Sequence, residues 1–499
     1  MTSPATAKVT IRRLPSGVPG LDEVLGGGLP EFSFTLIVGA PGSGKTTLAH
    51  QLMFALAKPH RTALYFTGLG EAPLKMLRYE QQFDFFDNER IDQDVRFINL
   101  AEEARSGDLD KVLLRIVSAV EAHHPGLVFI DSLRAIVPAG SAAGMSLQSL
   151  LQSLAVLMAS WQATTFLVGD REPGSHQANP IFTVADGLIW LHQSAQRNSM
   201  VRKLELVKMR GQATLPGLHT YRIGTAGLSV FAPASSLVVD PCRAAGLGLD
   251  ARAGMGVPGL DEMLGGGLPR GYSLLVAGPS GSGKSLLAAA FLEEGARCGE
   301  TGVIASFEQQ PHRLRHRRVA ELIAQGLIGV VDSQAPDLSI DEIVLLLVRE
   351  IRRLGASRVV IDSLSGFELA VAPTFREDFR ESLARLVSAL AAIGVTVLMT
   401  SELEDRYTDL RFSPSGTAFL TDAIIVQRYV EIDSRLLRVM AVVKVRANAH
   451  SDELRLYRIA DDGIHLGQQL RHSEGLLSGR AVRTLAGDDP MWPEGDAGA

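Results

Sequence analysis

Residues 17–30 read GVPGLDEVLGGGLP and residues 256–269 read GVPGLDEMLGGGLP, so one sequence is written twice with only Val24 against Met263 changed. The same offset of 239 residues carries Gly39, Gly44 and Lys45 onto Gly278, Gly283 and Lys284. Near the end of each copy, Tyr221, Arg222 and Ile223 match Tyr457, Arg458 and Ile459 at an offset of 236. Self-similarity on this scale means that one fold is built twice. A chain of 499 residues also exceeds the size at which a single core keeps growing. We place the first domain at 1–238 and the second at 239–474. The junction falls within 233–254, where Pro, Ser, Ala and Gly gather. Residues 475–499 lose apolar periodicity and read as a flexible tail.

Within each copy, short apolar β-rich runs alternate with helical patterns. The first copy has FTLIVG (34–39), TALYF (62–66), LVFID (127–131) and TTFLVG (164–169). The second repeats them as SLLVAG (273–278), GVIASF (302–307), RVVID (358–362) and VTVLMT (395–400). Runs of this kind, separated by segments long enough for crossover helices, predict an α/β fold with a mainly parallel sheet.

GAPGSGKT at 39–46 and GPSGSGKS at 278–285 both satisfy the pattern GxxxxGK[ST], each directly after a strand and before a helix. Glycines at Gly39, Gly42 and Gly44, and at Gly278, Gly281 and Gly283, let the backbone curl so that N–H groups point at phosphate oxygens, with the helix start adding partial positive charge. Ser43 and Ser282 lie inside the loops, and Thr47 and Leu286 follow them into the helix. Lys45 and Lys284 are placed to reach the β- and γ-phosphates of ATP, and the hydroxyls of Thr46 and Ser285 to ligate Mg2+. A glycine turn that merely joins strand to helix would not recur in matched surroundings. The second metal-side group is expected at the end of an apolar strand, where Asp131 and Asp362 stand. Such an aspartate alone could be a simple cap; downstream of a phosphate loop it reads as a metal ligand.

Composition narrows the partners. The net charge of −6 argues against nucleic acid, although a local basic lining is still compatible with it. Cys242 and Cys298 are too few for a disulfide framework or a cysteine metal site, which suits a reducing cytoplasm. The first residues carry no apolar stretch of signal length, and the apolar run around 387–400 is too short to span a membrane. The histidines lack ligand spacing, His123–His124 included.

The double phosphate loop, the GxPGLDxxLGGGxP lead-in and a Lys-x-Arg pair after each core together resemble the KaiC family of tandem RecA-like clock ATPases, over roughly residues 10–470. The resemblance implies hexameric double rings with ATP at subunit interfaces. It also implies that glutamates after the second strand activate the attacking water. The family's paired glutamates match Gly70 and Glu71 in the first copy, where one residue is inserted near Gly68, and Glu308 and Gln309 in the second. One carboxylate is left in each copy, and one can serve as general base if its geometry is right; a solvated loop acid is the other reading. The Lys-x-Arg pairs, which in the family reach a neighbour's γ-phosphate, match Lys208 and Arg210 and also Lys444 and Arg446. Surface strand charges are the alternative. Gly211 follows the first pair, and Ala447 replaces glycine after the second.

The family's phosphorylated serine and threonine sit upstream of a Thr-Asp pair that matches Thr421 and Asp422. Their positions fall on Ala418 and Phe419, which carry no hydroxyl. Clock-style dual phosphorylation is therefore not expected, with Ser413, Ser415, Thr417 and Thr421 as the nearby hydroxyls. The resemblance favours an ATP-hydrolysing ring whose nucleotide state is read by partner proteins. Three readings stay beside it: an autophosphorylating kinase, a RecA-like DNA-binding filament, and a nucleotide-bound scaffold with weak hydrolysis in the second domain. Segments 170–180 and 405–416 could line a ring channel, yet neither is a concentrated basic stripe with stacking aromatics.

Overall fold

The computed structural model describes residues 11–68, 78–132, 147–170, 184–196, 199–233, 251–307, 317–332, 338–371, 379–403, 420–432, 434–470, 473–474 and 482–483. The chain divides into two compact units, Met1–Pro233 and Ala234–Ala499.

Among the described residues each unit is built on a nine-stranded sheet. In the first unit the strands run, edge to edge, Gly227–Val230, Leu218–Gly224, Ser199–Met209, Gly187–Gln196, Phe34–Gly39, Thr164–Asp170, Leu127–Asp131, Ala63–Thr67 and Val95–Asn99. From Gly187–Gln196 to Val95–Asn99 every pairing is parallel. The strands beyond Gly187–Gln196 are antiparallel. The second unit repeats this order with Ser273–Gly278 in the place of Phe34–Gly39. The expected α/β architecture is thus present in both units. The antiparallel extension is an addition to it, made by long strands such as Ser199–Met209 that turn back directly without a crossover helix.

The parallel strands are apolar along their whole length because both faces are covered. Phe34–Gly39, Leu127–Asp131 and Ser273–Gly278 are buried throughout or nearly so. One face of the first sheet packs against helix Lys45–Leu56 and the lead-in residues Leu14, Val18, Leu21 and Leu25. The other packs against helices Leu109–His123 and Leu147–Ser160. In the second unit helix Ile340–Leu354 is fixed at both ends: Ser339 and Glu342 form a capping box, and Gly355 closes the helix at φ 64°.

The repeated lead-in has a structural purpose. Asp22 accepts a hydrogen bond from the Ser16 amide at 2.9 Å, and Asp261 accepts one from Met255 at 2.8 Å. Leu21 and Leu260 are fully buried beside them. Each lead-in therefore folds back on itself and plugs the face of the sheet that carries the phosphate-loop helix.

Among the described residues no helix is long and apolar enough to cross a membrane. Cys298 is free and exposed; Cys242 lies outside the described residues, as does the C-terminal stretch apart from Val482–Arg483, which pairs with Ser473–Glu474.

Candidate functional site

In each unit the phosphate loop leaves the central strand and enters a helix whose N-cap is glycine: Gly44 at φ 91° and Gly283 at φ 96°. This left-handed backbone favours glycine, and a second constraint applies. A Cβ on Gly44 would lie 2.4 Å from Ile223 Cδ1, and one on Gly283 would lie 2.9 Å from Ile459 Cδ1. Next to these isoleucines, Tyr221 donates its hydroxyl to the Ser43 carbonyl at 2.5 Å and Tyr457 donates to the Ser282 carbonyl at 2.6 Å. The tyrosine and isoleucine of the repeated Tyr-Arg-Ile triplet therefore clamp the loop. Burial pushes both phenols above the ordinary tyrosine value, against the pull of Arg202 and Arg438 respectively.

Lys45 Nζ donates to the carbonyls of Gly39 and Ala40 at 3.0 and 2.9 Å, and Lys284 Nζ donates to Gly278 and Pro279 at 2.9 and 2.8 Å. Both ammonium groups are thus folded into the loop they follow. Neither helix start carries a side-chain cap, and the buried Ser43 hydroxyl has no hydrogen-bond partner. Uncapped N–H groups and an ammonium form, in each unit, a cradle of donors that fits a polyphosphate; the orphaned hydroxyl belongs to the first unit alone, since Ser282 donates its own to Gln427 at 2.9 Å.

Of the expected metal ligands, Thr46 Oγ1 donates to Asp131 Oδ2 at 2.7 Å, so hydroxyl and carboxylate are close enough to share one cation. Asp131 Oδ2 also accepts from the Tyr65 hydroxyl at 2.7 Å. In the second unit Asp362 Oδ1 accepts from Thr400 Oγ1 at 2.5 Å, while Ser285 occupies the second position of helix Lys284–Arg297. An oxygen set of hydroxyl plus carboxylate suits Mg2+, which takes few protein ligands and keeps its phosphate oxygens and waters.

The candidate bases Glu71 and Glu308 lie outside the described residues. The strands that lead to them are described: Thr67 pairs with Asp131, and Ser306 with Asp362.

Lys208 and Arg210 fall elsewhere. Lys208 pairs with Leu188, which pairs with Leu36, three residues before Gly39 on the central strand. At ~3.3 Å per residue this puts the pair about 10 Å back along the strand, at the end away from its own phosphate loop. Lys444 repeats the placement through Ile424 and Leu275. Lys208 Nζ donates to the Ala185 carbonyl and Lys444 Nζ to the Thr421 carbonyl, at 2.5 and 2.6 Å. Arg210 pairs with Asp186 at 3.1 Å and Arg446 with Asp422 at 3.2 Å. Burial lowers both lysines below the ordinary value, their neighbouring arginines adding to the fall while Asp186 and Asp422 oppose it.

Asp186 is the counterpart of Asp422, and sequence reasoning passed over it. Its Oδ2 accepts from the Phe34 amide at 3.0 Å, as Asp422 Oδ2 does from the Ser273 amide. This aspartate, preceded by Ala185 in the first unit and by Thr421 in the second, thus anchors the start of the central strand in both units. Ala418 and Phe419 lie outside the described residues.

Two RecA-like α/β units, each with a clamped phosphate loop and a carboxylate at the end of a neighbouring strand, define a tandem P-loop nucleotide-binding protein. The family model "ATPase: KaiC" matches the chain twice, over residues 14–235 and 253–471. The chain belongs to the KaiC family of ATPases. The circadian clock oscillator protein KaiC of Prochlorococcus marinus (strain MIT 9313) is 27% identical over 495 residues, covering 96% of this chain and 97% of that protein. The protein of the same name from Rippkaea orientalis (strain PCC 8801 / RF-1) is 27% identical, covering 95% and 92%. Circadian clock oscillator protein KaiC 1 of Synechocystis (strain ATCC 27184 / PCC 6803 / Kazusa) is 26% identical, covering 96% and 94%.

Proposed function

We propose that this protein binds ATP with Mg2+ in both units and hydrolyses it at interfaces between copies of itself, as a ring whose nucleotide state is read by partner proteins. The observation that carries the proposal is the pairing of a donor cradle with the Thr46–Asp131 contact. Mg2+, when bound, neutralises charge on the β- and γ-phosphates. Thr46 and Asp131 would hold it in the first unit, Ser285 and Asp362 in the second. Lys45 and Lys284 exchange their carbonyl partners for phosphate oxygens. Glu71 and Glu308 orient the attacking water and take its proton.

The far-end placement of Lys208 and Arg210 supports the interface reading. A cation pair that is remote from its own loop serves catalysis only in a neighbour's site. Six copies, as the KaiC resemblance implies, would close such head-to-tail contacts into a ring. A regulatory or timing role follows from the names of the relatives, and we place the protein in the cytoplasm on its sparse cysteines. Protein phosphorylation and DNA binding are weaker readings, given Ala418 and Phe419 and the acidic charge.

The test is Mg2+-dependent ATP hydrolysis by the full chain beside Lys45→Ala and Lys284→Ala, with light scattering for particle mass and radiolabel for phosphoprotein. Activity lost when Lys45→Ala and Lys284→Ala are combined, with the parent a ring-sized particle without retained label, supports the proposal. Tight ATP binding with no turnover would sink the hydrolase claim, and stable label would put a kinase in its place.

A further inference from the structure

The two units orient their metal-side aspartates from opposite neighbouring strands. Asp131 accepts from Tyr65, on the Ala63–Thr67 side of its strand, whereas Asp362 accepts from Thr400, on the Thr396–Glu402 side. The registers identify the exchanged positions. Tyr65 pairs with Phe129, two residues before Asp131; its counterpart Ile304 pairs with Val360, two before Asp362. Val168 pairs with Ile37 and Thr400 with Val276, and these two partners are equivalent at the repeat offset.

Each unit therefore carries one hydroxyl and one aliphatic side chain at the two positions, in reversed order. All four are buried completely or nearly so. The Tyr65 ring is held by His50 at 4.5 Å and Phe97 at 5.3 Å between centroids, which fixes where its hydroxyl points. A buried hydroxyl in such a place needs a partner, and a carboxylate that is buried, as Asp131 is, or half-buried, as Asp362 is, gains from a donor. One exchange between strands satisfies both requirements in both units.

We propose that Tyr65 and Thr400 are equivalent positioning residues: each hydroxyl fixes the rotamer of its unit's aspartate so that one carboxylate oxygen is aimed at the metal. The inference rests on the reading that Asp131 and Asp362 hold Mg2+. Partners of metal ligands act by orienting them, and their loss weakens metal affinity by roughly ten- to a hundred-fold. Neither residue touches the nucleotide in this scheme, so affinity for ATP without Mg2+ is unaffected.

The experiment uses the full chain and a non-hydrolysable ATP analogue, adenylyl imidodiphosphate, whose binding is followed by calorimetry as Mg2+ is varied. The first unit is isolated in the Lys284→Ala background and the second in Lys45→Ala. Tyr65→Phe is expected to raise the Mg2+ half-saturation by roughly ten-fold or more, and Tyr65→Phe with Val168→Thr to bring it back by supplying the hydroxyl from the other strand. Thr400→Val and its rescue by Ile304→Tyr form the mirror experiment. Unshifted half-saturation in both single variants overturns the inference, as does a shift that the second substitution does not reverse. Should Tyr65→Phe fail to fold, the Thr400→Val arm decides alone. A parent whose binding ignores Mg2+ would remove the reading beneath the inference, an outcome distinct from a parent that needs Mg2+ beside unshifted variants.

Discussion

Lys45 Nζ lies 2.9 Å from Asp170 Oδ1, and Asp170 is the residue that pairs with Gly39 where the phosphate loop begins. The lysine is thus held by a carboxylate and two carbonyls, all acceptors whose place a phosphate oxygen would take. Glu402 pairs with Gly278 at the same point of the second unit. An acid at this position draws the ammonium toward the strand end and also opposes the charge of a triphosphate arriving there.

Asp170→Asn keeps the shape of the side chain and removes its charge. The carboxylate is partly exposed, so its effect is screened, and pairs of that kind are worth ~0.2–1 kcal/mol. ATP affinity of the first unit should rise by about 1.4- to five-fold. Titration with a fluorescent ATP analogue in the Lys284→Ala background measures it. Weaker binding would mean that Asp170 serves the loop by positioning Lys45 instead of competing for it.

The far-end placement of Lys208 gives a complementation test. Lys45→Ala and Lys208→Ala should each abolish hydrolysis by the first unit, with losses of about 10^3-fold for a trans cation. Mixed in one assembly, they create interfaces where an intact loop faces an intact Lys208, and part of the activity returns. The Lys284→Ala background removes the second unit's contribution. No recovery on mixing, with exchange of subunits verified by fluorescence transfer, would place Lys208 in its own subunit's site or outside catalysis.

The loop clamps have a pH signature. Tyr221 and Tyr457 have folded-state pKa values above the unfolded value of 10.0. Such a group contributes its stability in full below the unfolded pKa and loses it as pH rises past that value, because the unfolded chain ionises first. Tyr457→Phe should cost about 1 kcal/mol at neutral pH, the value of a neutral hydrogen bond. That difference should stay constant to about pH 9 and shrink above about pH 10. Urea midpoints of the two proteins across this range check it; a gap that widens with pH would contradict the clamp.

Much of this was legible beforehand, because a phosphate loop is a contiguous backbone motif and a strand-end aspartate follows an unmistakable apolar run. The Tyr-Arg-Ile triplet was visible as a repeat, but its grip on Ser43 and Ser282 depends on how a distant antiparallel strand is laid over the loop. Tyr65 and Thr400 were hidden for a sharper reason. They do the same thing from different strands, so aligning the copies sets each against an aliphatic residue, and only the sheet order brings both beside an aspartate. Asp186 escaped notice because its partners, the Phe34 amide and Arg210, are far away in sequence.

The general base is where register and resemblance pull apart. Thr67 pairs with Asp131 and Ser306 with Asp362, so the second strands end in step at the repeat offset. Counting on from there without an insertion sets Leu69 and Gly70 against Glu308 and Gln309. Glu71 stands level with Gln309 only if the first unit has one extra residue after Thr67. The proposal requires that Glu308→Gln, in the Lys45→Ala background, lower hydrolysis by about a hundred-fold or more while nucleotide binding is retained. Glu71→Gln in the Lys284→Ala background should do the same for the first unit. If Glu71→Gln hydrolyses ATP at its parent's rate, the insertion-free register is the correct one, and the first unit works without a carboxylate at either of the family's two positions.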